Sequence, residues 1–274
     1  MNRYIVKRNL PTVLVIVLVS AVILFCLILG VMQARGPEDD GESGGDATIS
    51  FPLIEPDGSA ELIVPPNVTW EPSPVRDQYE MDEEILFLAA INQPIFSGLD
   101  AEAAAKIHSV LDEYCRAFVR ISSDDKVLIE EAYDGSPFGI EPFERSGDYT
   151  VFVKGHVVSV LFNLFHDYGG ADTGNENRAF VFDLTTGDLL SFSDYTGKDE
   201  DFGRSYILSV VGQMIRNAPD QFYTDALDVL AATVNLYDYY LTDEALVFFF
   251  NPDTLAPSAQ GPITLNVPYS NLGK

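Results

Sequence analysis

The sequence predicts an α+β fold: a mostly antiparallel sheet packed with two main helices, preceded by one transmembrane helix and a flexible stalk. Three observations carry that prediction. Strand-like runs dominate the second half of the chain, and His156–His166 carries apolar residues on both parities. The stretches 100–121 and 201–217 place apolar residues at helical spacing. Ahead of both lies an uncharged run, Val13–Met32, with Ser20 as its single polar side chain. At about 1.5 Å per residue that run crosses roughly 30 Å, the thickness of a bilayer's hydrocarbon core.

Arg3, Lys7 and Arg8 precede the apolar run, and no carboxylate occurs before Glu38. The positive-inside rule then makes residues 1–11 a short cytoplasmic tail, residues 12–33 a membrane anchor and the remainder extracytoplasmic. A cleaved secretory signal is the competing reading. The run is longer than a signal's usual apolar core, and the nearest cleavage candidate, Ala34, has Met32 at −3 instead of a small residue. A lipoprotein signal at Cys26 fits less well, because Phe25 stands where a small residue is needed.

Residues 34–80 are expected to form a stalk. ARGPEDDGESGGDAT, at 34–48, is acidic and Gly-rich with almost nothing to bury. EPDG at 55–58 has the composition of a tight turn between two short extended runs, which would make a small hairpin. Pro65, Pro66, Pro72 and Pro74 then suggest an extended spacer, and Asn67-Val68-Thr69 matches a glycosylation sequon. The folded unit is expected over residues 81–274.

Within that unit, Ile85–Ile91 is a short apolar strand and NQPIFSG a connection. Asp100 caps a helix to about Ile121, with Ala104, Ile107, Leu111, Tyr114, Phe118 and Ile121 as its inner face. His108 lies at the edge of that face. An acidic connection follows. Asp148–Lys154 and His156–His166 read as strands paired around Gly155, the second covered on both faces. Arg178–Asp183, the turn Thr185–Asp188 and Leu189–Phe192 form a hairpin. A helix spans Asp201–Asn217 with Ile207, Val210, Val211, Met214 and Ile215 inward, and a shorter one lies at 220–232. Tyr237–Leu241, Ala245–Phe250 and Pro262–Val267 are expected to close the sheet. The aromatics Tyr237, Tyr239, Tyr240, Phe248, Phe249 and Phe250 then read as the two faces of a core hairpin, with a glycan-stacking platform as the alternative.

The charge divides at the anchor. All 42 acidic residues and 13 of the 16 basic ones follow it, a net of −29. That balance argues against nucleic acid, which needs Lys and Arg to displace counterions, and favours cationic partners. A plainly acidic surface that serves solubility is the alternative. Of two cysteines, Cys26 falls in the apolar run and Cys115 in a helix, so no exterior disulfide forms and Cys115 reads as a small buried hydrophobe.

Catalytic signatures are sparse. HExxH, CxxC and a Gly-rich phosphate loop are all missing from the sequence. His156 and His166 on one strand would stand roughly 33 Å apart and share no metal. We therefore expect no enzyme, no cofactor and no metal. The most site-like stretch is 166–178, HDYGGADTGNENR, which joins two buried strands. Asp167, Tyr168, Gly169, Gly170, Asp172, Asn175 and Glu176 are its candidate ligand-contact residues, with the glycines supplying backbone freedom. Calcium held by its oxygens and a solvated loop are alternatives to partner contact; the spacing is not that of an EF-hand.

Three segments in order resemble the extracytoplasmic domain shared by RsiV-type anti-sigma factors and the N-terminal region of PdaC-type polysaccharide deacetylases. INQPIFSGLDAEAAAKIHSVLDEYCRAF at 91–118 is similar to that family's opening strand, turn and first helix. YGGADTGNENRAFVFDLTTGDLLSFSDY at 168–195 is similar to its Gly-Gly-Ala loop and following strands. YYLTDEALVFFFNPDTLAPSAQGPITLNVPYSNL at 239–272 is similar to its C-terminal hairpin and final strand. RsiV-like proteins place His after Gly-Gly-Ala where this chain has Asp172, so no role of that histidine carries over. The short N-terminal tail is too small for a sigma-binding bundle, and the chain stops at Lys274 before any deacetylase domain. The resemblance implies a membrane-anchored, extracytoplasmic binding or sensing module of a bacterial cell envelope, whose partner would be a basic protein such as lysozyme or a cell-wall glycan. A glycan-modifying accessory enzyme and an RsiV-type anti-sigma factor are the alternatives.

Overall fold

Two antiparallel-rich sheets with helices packed on them make up the described residues. The computed structural model describes residues 68–136, 140–169 and 173–272. The expected anchor, tail and stalk up to residue 67 lie outside the described residues, as does the expected hairpin at 55–58. Among the described residues, no helix is long and apolar enough to cross a membrane.

The first sheet has five strands in sequential order: β1 (Thr69–Met81), β2 (Glu84–Ser97), β3 (Phe143–Lys154), β4 (Val157–Asp167) and β5 (Thr173–Asp183). Only β2 and β3 run parallel, because α1 (Ala101–Val119) and α2 (Ser123–Asp134) cross over between them. The second sheet, in the order β6 (Tyr239–Leu241), β7 (Ala245–Phe250), β8 (Ile263–Pro268), is antiparallel throughout. The expected α+β class with a mostly antiparallel sheet therefore holds.

Five expectations need correction, the first being NQPIFSG, read as a connection, which continues β2 to Ser97. Residues 69–80, read as a proline-rich spacer, form β1, the edge strand paired along its length with β2. Its side chains are mostly exposed, and only Val75, Tyr79 and Met81 pack on the core, an alternation too weak to stand out among the prolines. The acidic connection after α1 is α2. Ser122 and Asp125 form a reciprocal capping box at its start, yet Ile129 is its single buried residue, too little for a visible stripe. The strands from residue 237 onward make their own sheet instead of closing the first. Finally, Leu189 makes only an isolated bridge to Phe182, and Phe192 starts the short helix α3 (Phe192–Thr196).

The predicted helices form where their stripes require. Asp100 caps α1 by accepting from the Glu102 amide. The buried stripe is Ala103, Ile107, Leu111, Cys115 and Val119, turned slightly from the expected one, which leaves Tyr114 and Phe118 at its border. Burial pushes the Cys115 thiol up to about 12, so it packs as a hydrophobe. α4 (Glu200–Asn217) buries Ile207, Val211 and Ile215, and α5 (Ala226–Thr233) buries Ala226 and Leu230.

β4 lies between two cores. Val158, Val160, Phe162 and Leu164 face the core that β2, β5 and α1 share. Val157 joins the second core with Phe192, Val211, Tyr239, Leu246 and Phe248, while Leu161 meets Ala179 and Phe249. Full burial of a side chain such as Phe162 contributes about 1.5–3 kcal/mol, which explains apolar residues on both parities of this strand. Ser159 is buried between the sheets and accepts the Leu241 amide at 3.2 Å. Tyr239, Phe248, Phe249 and Phe250 are core as expected, but Tyr237 is 41% exposed.

Candidate functional site

The predicted loop 166–178 is for the most part the tip of a long hairpin. β4 and β5 pair through Phe165↔Asn175, His166↔Gly174 and Asp167↔Thr173. The true connection is therefore 168–172, of which Gly170 and Asp172 lie outside the described residues. Asp167 shapes the turn: its carboxylate accepts from the Gly169 amide at 2.9 Å and the Thr173 hydroxyl at 3.3 Å. Gly169 has φ +85°, a conformation that disfavours any side chain.

Side chains alternate across the sheet, so the even positions of the tip point toward α1 and the odd ones away. On the α1 side, Leu164, His166, Tyr168 and Glu176 line an open cleft of about 390 Å³ with Arg145, Ala117 and Phe118. Two of the seven predicted contact residues, Tyr168 and Glu176, thus share a cleft. Asp167 supports the turn, and Gly169 and Asn175 are exposed at the rim.

Arg145 organises the cleft wall, although nothing in its local sequence marks it as a site residue. Its guanidinium lies 5.2 Å from the Phe87 ring centre and 5.4 Å from that of Tyr168. It donates to the Tyr168 hydroxyl and, at 2.6 Å, to the Asp125 carboxylate, with both ion-pair partners largely buried. A third bond reaches the Arg120 carbonyl at 3.3 Å. α2 therefore has a role in the site: it brings Asp125 to neutralise Arg145. The only signal in the sequence is an arginine in a strand of an acidic chain, and its partner sits in a helix that periodicity does not reveal.

His166 stacks on Tyr168 with ring centres 5.2 Å apart, and its imidazole also lies against Gly174. A Cβ at Gly174 would lie 2.5 Å from the imidazole, so a glycine is needed opposite this ring. Among the described residues, no group of three His, Cys, Asp or Glu side chains is placed to hold a metal ion. His108 serves the fold, since its Nε2 accepts the Phe96 amide at 2.9 Å and ties α1 to β2.

The outer edge of β5 has a readable hydrogen-bonding polarity. Asn177 donates its amide to the Asn251 side-chain oxygen at 2.7 Å, and its carbonyl accepts from the Asn251 side-chain nitrogen at 3.1 Å. The Val181 carbonyl likewise accepts from Leu190, and the Asp183 amide donates to Asp188. Odd-numbered residues of β5 therefore turn their backbone groups outward. Asn177, Val181 and Asp183 have partners there. Thr173 and Asn175, nearest the tip, have no outward backbone partner among the described residues.

Fold and cleft together describe an α+β domain whose hairpin tip presents a small mixed cleft beside a free strand edge. Residues 207–270, from within α4 to just past β8, match the model of DUF3298, a family described as a protein of unknown function. A crystal structure of a DUF3298 family member from Bacteroides fragilis NCTC 9343 is similar in fold, with a TM-score of 0.51 and 16% identity, covering 74% of this chain and 91% of that one. A DUF3298 family protein from Pseudomonas aeruginosa PAO1 aligns at 16% identity with a TM-score of 0.47, over 75% of this chain and 92% of its own. No curated protein matches the sequence.

Proposed function

We infer that the protein is a membrane-anchored, extracytoplasmic binding or sensing module of the RsiV-like kind, and that it recognises a cationic protein such as lysozyme or a cell-wall-associated ligand. The observation that carries this reading is the hairpin tip. Tyr168 and Glu176, both expected as contact residues, line an open cleft with His166 and Arg145. The basic flank of Arg3, Lys7 and Arg8 and the apolar run at residues 12–33 support an anchor with the acidic domain outside. A net of −29 after the anchor speeds encounter with a basic partner. Its surface potential does not by itself select one.

Calorimetric titration with lysozyme at low salt and at about 0.5 M, where the Debye length falls to a few Å, separates a shaped interface from long-range attraction. Binding that survives the added salt is expected. Binding confined to low salt would leave only charge attraction and move a glycan ligand to the front. Topology mapping that placed the C-terminal domain in the cytoplasm would sink the reading altogether.

A further inference from the structure

We propose that an extended, basic segment of the partner protein adds as a strand to the free edge of β5 at Thr173–Asn175, and sets a lysine or arginine side chain beside Glu176. The inference rests on the binding-module reading above and names where and how the partner is held.

The edge itself is the first argument. Farther along β5, Asn177 and Asp183 have both outward backbone groups paired, Val181 has its carbonyl paired, and Ala179 is buried, whereas Thr173 and Asn175 are exposed. Asn251 shows what such a position accepts. Its carboxamide receives from and donates to the Asn177 backbone, as a peptide unit of a neighbouring strand would. An added strand would continue that pattern by one or two residues toward the tip, the mode by which sheet edges take up extended peptides.

The opposite edge of the sheet is closed to the same event. Pro72 lies directly across from Pro94 in the β1–β2 ladder. Two prolines fit there only as a pair without mutual hydrogen bonds, so even-numbered residues of β1 turn outward near this point. Pro72 and Pro74 have no N–H to offer, and the Gln78 amide donates to the Asp77 carboxylate at 2.9 Å. Strand addition is thus favoured at one edge and blunted at the other.

Local charge sets the sign of the occupant. Two cations of this region already have carboxylate partners: Arg145 pairs with Asp125, and Arg178 approaches Asp238 at 3.5 Å. Glu176 is exposed on the cleft face, and no ion pair with it occurs among the described residues.

The test uses the full chain in detergent micelles, lysozyme as the basic probe, and three variants. Asn175→Pro removes one outward N–H without touching the β4 ladder, and should weaken binding about five- to tenfold. Asn175→Ala keeps that N–H and should bind as the parent does. Glu176→Gln should weaken binding by a similar factor and reduce its salt dependence. Hydrogen exchange on the parent chain should show the Asn175 amide protected in the complex. Tight binding with equal affinity for Asn175→Pro and no protection at Asn175 would overturn strand addition and leave the binding-module reading standing. No lysozyme binding by the parent chain would remove both.

Discussion

Single residues at this site are constrained by what would occupy the space of a side chain. Gly187 closes the turn after β5 with φ +75°, and a Cβ there would lie 2.5 Å from the Ala103 carbonyl oxygen of α1. Neither the backbone conformation nor the rigid helix can yield. Gly187→Ala is expected to destabilise the domain by about 2–3 kcal/mol, read as a shift in urea midpoint. At Gly174 the obstacle is instead the far end of the His166 side chain, which can turn away, so the same change there alters the cleft more than the stability. Next to Gly187, Asp188 accepts from Lys106 at 2.9 Å and so joins the turn to α1. That hydrogen bond, with help from Thr186, holds the Asp188 carboxyl below its usual range. A carboxylate depressed in the folded state stabilises above its unfolded pKa and loses that contribution as pH falls through the folded one. Asp188→Asn should therefore flatten the acid limb of a stability-against-pH curve and change little at neutral pH. The TTGD turn is legible from composition, but its close approach to α1 is not, because it depends on residues far apart in sequence.

Whole elements show where local patterning succeeds and where it fails. β4 is marked by apolar residues on both parities, since two cores demand them. α1 and α4 are marked by stripes and caps. β1 and α2 escape for one shared physical reason: each is mostly exposed, with little periodic burial to write into the sequence. The prolines that disguise β1 as a spacer protect an edge strand from pairing with another molecule. Replacing Pro72 and Pro74 with threonine restores two outward donors. The double variant should self-associate with rising concentration in sedimentation experiments while the parent stays unchanged. An unaltered sedimentation profile would mean that the exposed charges of β1, not its prolines, block the edge.

At the level of the molecule, the two sheets are joined by a few polar bonds at otherwise apolar contacts. Ser159 receives the Leu241 amide, Tyr239 donates to the Leu190 carbonyl at 2.9 Å, and Asn251 spans to Asn177. The Asn251 pair satisfies a donor and an acceptor of one edge residue at once. Asn251→Ala is expected to cost about 1–3 kcal/mol in denaturant unfolding, with increased exchange at the Asn177 amide. This bond is not readable in the chain. Asn251-Pro252 looks like a shaped connection leaving a hairpin, and nothing in its neighbours points 74 positions back to Asn177.

By itself the sequence determined the α+β class, the central strand, the main helices with their caps, the acidic balance and the stretch of chain that forms the tip. Those follow from periodicity, capping chemistry and charge, which act over a few residues or over the chain as a sum. Tertiary structure alone decided that the strands split into two sheets, that an exposed proline-rich stretch is an edge strand, and that Arg145, Asp125, His166, Tyr168 and Glu176 meet at one cleft. Each of those outcomes depends on pairing and packing between distant segments. Such contacts are set by which surfaces can be buried together, and no local pattern records them.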